Sequence, residues 1–309
     1  MSAERVPSDT LCPRPPDIRG IICPLVTPFD EQGGIDHDGV RQVADFVLGQ
    51  GVHCLMVAGT TGEGMLLSTA ERKALGETVV RCVAGRAPLI VHTGCISTGE
   101  TIALTRHAAS VGATAASVIV PYFFTLDDDA LFDHYVSVAG AVPHFPILLY
   151  TFPGNAKNDI SLHLLARLLD AAPNIIGIKS SNLDLVRFQG YVRAGGERFL
   201  PCNGVDGLML PALALGSQAQ VSGNSNVCPE AFCALYEAFQ AGDLARARTL
   251  QVHVNRIRAV LHDGITPAFF KLGLKLRGIP AGHVRPPMRE LTAGEAQAVE
   301  EGLRELGII

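Results

Sequence analysis

The sequence predicts a closed (β/α)8 barrel of the α/β class, with a C-terminal helical extension. Three observations point there. Short apolar runs recur at intervals of roughly 20–35 residues, the length of one strand-plus-helix unit. They are eight in number: residues 21–26, 54–58, 89–91, 116–120, 147–150, 175–178, 199–202 and 220–222. Each is almost continuously apolar, as a parallel strand covered on both faces must be. Eight is the closure number of a barrel that takes about 250 residues. An open doubly wound sheet is the competing architecture. It is disfavoured because Thr27-Pro28-Phe29 follows the first run, where a G-x-G-x-x-G turn would stand.

The elements follow in order. Residues 1–17 carry Pro7, Pro13, Pro15 and Pro16, several charges and no hydrophobic region, so they read as a poorly ordered extension rather than a signal peptide. The barrel is expected over residues 18–242. Val40, Val43, Ala44, Val47 and Leu48 share one helical face, and Leu131, Phe132, Tyr135, Val136 and Ala139 share another. Ser68 with Glu71, Ser97 with Glu100, and Ser161 are helix-start signals. Over residues 243–309 the pattern is helical only, at 244–260, 266–277 and 294–306. These are read as helices appended to the barrel.

Composition excludes several functions. A net charge of −5 and scattered Lys and Arg supply no footprint for nucleic acid. No apolar stretch approaches the roughly 18 residues of a membrane span. The eight cysteines form no C-x-x-C pair and read as buried reduced thiols of a cytoplasmic protein. The ten histidines show no ligand spacing, so no metal site is expected.

Lys179 has the most informative position. The chain has five lysines. Lys73, Lys157, Lys271 and Lys275 read as solvated helix faces or loops, whereas Lys179 ends the apolar run Asn174-Ile175-Ile176-Gly177-Ile178. An ammonium at the mouth of a buried strand is partly desolvated, which favours the free amine that attacks a ketone. The alternative is a lysine that snorkels out of the sheet to water.

In such barrels the functional residues sit at the C-terminal ends of strands. Strand 2 ends in Gly59-Thr60-Thr61-Gly62-Glu63-Gly64, a loop with free N–H groups and two hydroxyls that can hold a carboxylate, or serve merely as a turn. Strand 5 ends in Tyr150-Thr151-Phe152-Pro153, where the phenol can carry protons or simply cap the core. Strand 8 ends in the polar cluster Ser222-Gly223-Asn224-Ser225-Asn226. Together these pieces fit one task. Lys179 forms an imine with a 2-oxo acid, the strand-2 loop holds the carboxylate, and Tyr150 shuttles protons. That is class I aldolase chemistry, which needs no metal or other cofactor.

These residues resemble the dihydrodipicolinate synthase / N-acetylneuraminate lyase family of class I, pyruvate-type aldolases. The likeness covers roughly residues 18–291. Its markers are Pro24-Leu25-Val26-Thr27-Pro28-Phe29, Gly59-Thr60-Thr61-Gly62-Glu63, Val120-Pro121-Tyr122, Leu149-Tyr150-Thr151-Phe152-Pro153, the run ending in Gly177-Ile178-Lys179, and Arg285-Pro286-Pro287. The resemblance implies Lys179 as the Schiff-base lysine and Tyr150 as the proton-transferring phenol. It implies Thr60 and Thr61 as carboxylate binders, with Thr60 also relaying protons to Tyr150. Gly59, Phe123, Asn155, Gly204, Asp206, Val221 and Ser222 are the further expected substrate contacts. A homotetramer built from dimers is implied as well, with pyruvate and an aldehyde as small-molecule partners.

Two departures bear on the substrate. Dihydrodipicolinate synthases carry Tyr-Tyr after the strand-4 proline, the second phenol reaching a neighbouring subunit's site in the proton relay, where this chain has Tyr122-Phe123 and lacks that hydroxyl. They also carry an Arg two residues after the Y-x-x-P proline, where this chain has Asn155, which supplies neither charge nor a bidentate fork. Gly204-Val205-Asp206-Gly207 keeps one carboxylate of the acidic pair found in sialic-acid lyases. Tyr150-Thr151-Phe152-Pro153 is closer to the Y-N-F-P segments of 2-keto-3-deoxy-sugar-acid aldolases, whereas Ser180-Ser181 replaces the Asp-Thr that several of those carry after the lysine. The expected activity is reversible cleavage of a 2-keto-3-deoxy sugar acid, or a related 4-hydroxy-2-oxo acid, to pyruvate and an aldehyde. The alternatives are a hydro-lyase using the same imine, a dihydrodipicolinate synthase-like condensation, and a non-catalytic metabolite-binding barrel.

Overall fold

The structure, a computed structural model, describes residues 17–309. The extension expected over residues 1–17 therefore lies outside the described residues, except for Asp17. From the first strand the order is β1 (Gly20–Pro24), α1 (His37–Gly49), β2 (Cys54–Val57), α2 (Thr69–Val83), β3 (Leu89–His92), α3 (Thr98–Ser110) and β4 (Ala115–Ile119). The second half runs α4 (Asp128–Gly140), β5 (Ile147–Thr151), the one-turn α5 (Pro153–Ala156), α6 (Leu162–Ala171), β6 (Ile175–Ser180) and α7 (Leu185–Gly195). It continues with β7 (Leu200–Asn203), α8 (Met209–Ala214), β8 (Ala219–Val221) and α9 (Pro229–Gln240). Three further helices follow: α10 (Leu244–Val260), α11 (Pro267–Leu276) and α12 (Ala293–Glu305).

Each strand pairs in parallel with the next, and β8 closes onto β1 through Gly20–Ala219 and Ile22–Val221. The eight strands coincide with the eight apolar runs. Alternation within each strand explains why those runs are continuous. Ile22, Cys54, Met56, Ile90, Ala115, Leu148, Ile176, Leu200 and Ala219 come from all eight strands and form one cluster in the barrel interior. Their neighbours Ile21, Cys23, Leu55, Val57, Val91 and Val118 face outward and pack with Val40, Val43 and Val47 of α1 and their counterparts on other helices.

Gly177 is a steric requirement of this barrel. A Cβ there would stand 2.2 Å from the Leu200 carbonyl oxygen of β7 and 2.9 Å from Leu148 Cδ1. Both neighbours are part of the closed barrel, so no side chain fits two residues before Lys179.

The serine start signals are all N-caps. Ser68 accepts from Glu71 N and completes a capping box with it, Ser97 accepts from Glu100 N, and Ser161 accepts from Leu164 N. Such caps contribute about 1 kcal/mol each. The three C-terminal helices begin and end within one residue of the expected bounds, and α10 lies against α9. Six of the seven described cysteines are buried, and burial pushes the Cys23 and Cys202 thiols up to about 12. Among the described residues, no helix is long and apolar enough to cross a membrane.

Candidate active site

A cleft of about 620 Å³ opens at the C-terminal ends of the strands. Lys179, on β6, lies beside Tyr150 of β5 in the strand register. Its side chain is only 7% exposed, and Nζ stands 3.9 Å from the centre of the Tyr150 ring. This cation–π contact steers the amine inward, so the lysine does not snorkel. The Tyr150 hydroxyl meets Thr60 Oγ1 at 3.4 Å, at the long end of hydrogen-bond range. Gly204 makes room for the amine's stem. A Cβ there would lie 3.3 Å from Lys179 Cε and 2.3 Å from Ser181 Oγ.

His92 of β3 is a neighbour the sequence reading did not single out. Its ring is edge-on to Tyr150, with centroids 6.0 Å apart. The buried Arg72 guanidinium reaches His92 Nδ1 at 3.1 Å. A guanidinium can only donate, so Nδ1 accepts and the ring proton sits on Nε2. Burial first, then the charges of Arg72 and Lys179, push this imidazole well below its ordinary value. It is therefore neutral beside the phenol.

The strand-2 loop owes its shape to contacts from distant parts of the chain. The Thr27 hydroxyl donates to the Gly62 carbonyl at 2.7 Å. Glu63 adopts a left-handed conformation (φ +54°), and Gly64 packs so closely on Ala58 that a Cβ would fall 1.8 Å from its carbonyl oxygen. Lys271 of α11 donates to Glu63 Oε1 at 2.6 Å, and the Arg285 backbone N–H donates to Glu63 Oε2 at 2.9 Å. Both charged ends pack on the Phe29 ring, with Lys271 Nζ 4.5 Å and Arg285 Cζ 4.3 Å from its centre. Arg285 also forks onto Glu71 at 2.7 and 3.1 Å, which holds that carboxyl down at about 2. Here one expectation is corrected. Lys271 is not on a solvated face but buried, because its charge is matched by Glu63.

Thr60, Thr61, Tyr150, Asn155, Lys179, Gly204, Asp206 and Val221 all line the cleft. Three expected contacts stand elsewhere. Gly59 does not line the cleft, and its carbonyl accepts from Gly64 N at 3.0 Å, closing the loop. Ser222 is fully buried and donates to Asp206 Oδ2 at 2.7 Å. Phe123 is 73% exposed, in a turn with φ +80°, and its ring meets Phe124 edge-on at 5.1 Å, away from this chain's cleft.

Asp206 faces the cleft, but its acceptor capacity is largely used. It accepts from Gln220 Nε2, Ser222 Oγ and Asn224 Nδ2, each at 2.7 Å. Desolvation outweighs these donors and raises its pKa above the ordinary carboxylate value. It therefore ties the ends of β7 and β8 together. Asn226 does the same between β8 and β1, accepting from Val26 N at 3.1 Å and donating to the Pro24 carbonyl at 2.8 Å. The sequence reading also missed cleft residues supplied from beyond the barrel: Arg258, His262, Asp263, Ile265, Phe270 and Met288.

Fold and site together define a barrel enzyme of the lyase class. The chain belongs to the Dihydrodipicolinate synthetase family, whose sequence profile matches residues 17–306. It is 38% identical over 296 residues to an uncharacterized DapA-like lyase of Halobacterium salinarum, covering 96% of each chain. It is 34% identical over 293 residues to the 4-hydroxy-tetrahydrodipicolinate synthase of Methanopyrus kandleri, covering 94% of this chain and 97% of that one. Among solved structures, YagE of Escherichia coli, described in complex with pyruvate, superposes with a TM-score of 0.91 at 28% identity, over 95% of this chain and all of that one.

Proposed function

We propose that the protein is a Schiff-base lyase that reversibly cleaves a 2-keto-3-deoxy sugar acid, or a related 4-hydroxy-2-oxo acid, to pyruvate and an aldehyde. The family works through an imine between pyruvate and a lysine, without a metal. The observation that carries the reading is the Lys179–Tyr150–Thr60 set: an amine over the face of a phenol whose hydroxyl meets a loop threonine, all lining one cleft.

The steps follow from that arrangement. The Lys179 amine adds to the C2 ketone, and the carbinolamine loses water as Tyr150 delivers a proton to the departing hydroxyl. Thr60 connects the phenol to the carboxylate end, where Thr61 and the loop's N–H groups hold the acid. The protonated imine then accepts the electron pair of the C3–C4 bond. That bond breaks as the Tyr150 phenolate takes the C4 hydroxyl proton, and the aldehyde leaves. Protonation of the resulting enamine at C3 and hydrolysis of the imine release pyruvate and the free lysine. With Asn155 in place of a guanidinium, the end of β5 has no fork for an aldehyde's carboxylate.

Reduction with borohydride in the presence of pyruvate tests this reading. Peptide mass mapping should find a reduced pyruvyl adduct on Lys179 and on no other lysine. A folded protein whose Lys179 stays unlabelled would overturn the proposal.

A further inference from the structure

Arg258, near the C-terminal end of α10, is the one guanidinium among the described residues that line the cleft. Its Nε lies 2.7 Å from Asp263 Oδ1, and its Nη1 lies 3.4 Å from Asn255 Oδ1. Nη2 has no hydrogen-bond partner among the described residues. A guanidinium carries five N–H donors in a planar fork, so most of this fork's capacity is unspent. Its side chain is partly exposed into the cleft.

Two features hold it there. The backbone at Gly207 passes so close that a Cβ would fall 2.0 Å from Arg258 Nη1, so the glycine clears the space the fork occupies. Gly204, three residues earlier, clears the space beside Lys179 Cε. One loop after β7 thus has the imine lysine against its first glycine and the guanidinium against its last. On the other side, Arg258 is gripped by a turn in which His262 and Asp263 are both left-handed (φ +51° and +54°). Consecutive non-glycine residues in that region persist only where the surroundings dictate them. His262 is fixed by stacking on Phe269, with centroids 4.5 Å apart.

We propose that Arg258 is the specificity-determining residue for the end of the substrate remote from the ketone, and that it selects an aldehyde bearing its own anionic group. This rests on the imine reading above and narrows it to 4-hydroxy-2-oxo acids with a second negative charge at the far end. The charge missing at Asn155 is supplied from α10 instead. An incoming anion takes the open N–H groups in a bidentate pair while Asp263 holds Nε and fixes the plane of the fork.

The test compares pyruvate condensation with glyoxylate and succinic semialdehyde (carboxylate), glyceraldehyde 3-phosphate (phosphate) and glyceraldehyde (neutral). Wild type should favour one of the anionic classes in kcat/KM, and the carboxylate and phosphate arms show which anion it takes. Arg258→Gln should reduce the anionic-to-neutral ratio by about 10- to 100-fold, the range of a charge-assisted pair, acting mainly through KM. Arg258→Lys should restore part of it. A ratio unchanged in Arg258→Gln, or a wild type that favours the neutral aldehyde, overturns the proposal. Calorimetric binding of glutarate against butyrate to wild type and Arg258→Gln reads the anion site without any imine. If glutarate depends on Arg258 while Lys179 cannot be trapped, the anion site stands and the imine reading falls. If Lys179 is trapped but glutarate binds no better than butyrate, the reverse holds.

Discussion

Lys271 Nζ lies 2.6 Å from Glu63 Oε1, and both side chains are sealed from solvent. The pair joins the first helix-length stretch after the α10 turn to the loop that ends β2. Burial lowers the lysine's pKa and Glu63 opposes that shift, so the two groups depend on each other. Breaking such a pair from one side leaves an uncompensated buried charge. Glu63→Gln and Lys271→Met should each cost about 3–5 kcal/mol in urea unfolding, and the double variant should recover part of the loss. Single variants within about 1 kcal/mol of wild type would contradict the ion pair as drawn.

Chemistry at Lys179 and Tyr150 should separate cleanly from folding. Lys179→Ala is expected to abolish turnover while circular dichroism and melting stay close to wild type. Tyr150→Phe should slow turnover by about 10²- to 10⁴-fold, the usual range for a lost proton-transfer group. A Tyr150→Phe enzyme of undiminished rate would remove the phenol from the mechanism.

Mild acid should weaken the fold. His134 is buried, with Nδ1 at 2.9 Å from Thr98 Oγ1, and burial lowers its pKa from 6.5 to about 4. His92 shifts in the same direction. A folded value below the unfolded one means that the unfolded chain binds the proton more readily. The stability is therefore complete above pH 6.5 and is lost as pH falls toward 4. His134 alone amounts to roughly 3 kcal/mol across that window. Melting temperature should drop steadily from pH 7 to pH 4.5 in wild type, and less steeply in His134→Gln. A flat wild-type profile would refute the buried neutral imidazoles.

Phe123 and Phe124 present adjacent rings at 73% and 62% exposure, with the half-exposed Ile96 also on the surface. Exposed aromatic rings of this kind mark association surfaces. Light scattering should give a solution mass of four chains, and Phe123→Ser with Phe124→Ser should shift it to smaller species. A monomeric wild type would dismiss the homotetramer.

Much of the barrel is legible in the sequence because each strand is buried on both faces, which leaves an apolar run that no helix of that length imitates. The cleft's three central residues are legible because they terminate those runs. Lys271 and Arg258 are not. Each sits on an amphipathic C-terminal helix, where a cation ordinarily faces water, and nothing local betrays that the partner of Lys271 lies 208 residues earlier. Asp206 is legible as a cleft residue but not as one already engaged, since its donors come from β8 and the turn after it. Phe123 is a contact only through the resemblance, which sets that position against a neighbouring subunit's site, and it does not line this chain's own cleft.

The links from Glu63 to Lys271 and to the Arg285 amide span 208 and 222 residues. During synthesis, all eight strands emerge from the ribosome before either anchor exists. The strands can pair on a nascent chain, but the loop after β2 gains these two fastenings only when Lys271 of α11 and then Arg285 have been made. A chain stopped just before Lys271 should keep its strand pairing yet present Thr60 and Thr61 on an unfastened loop.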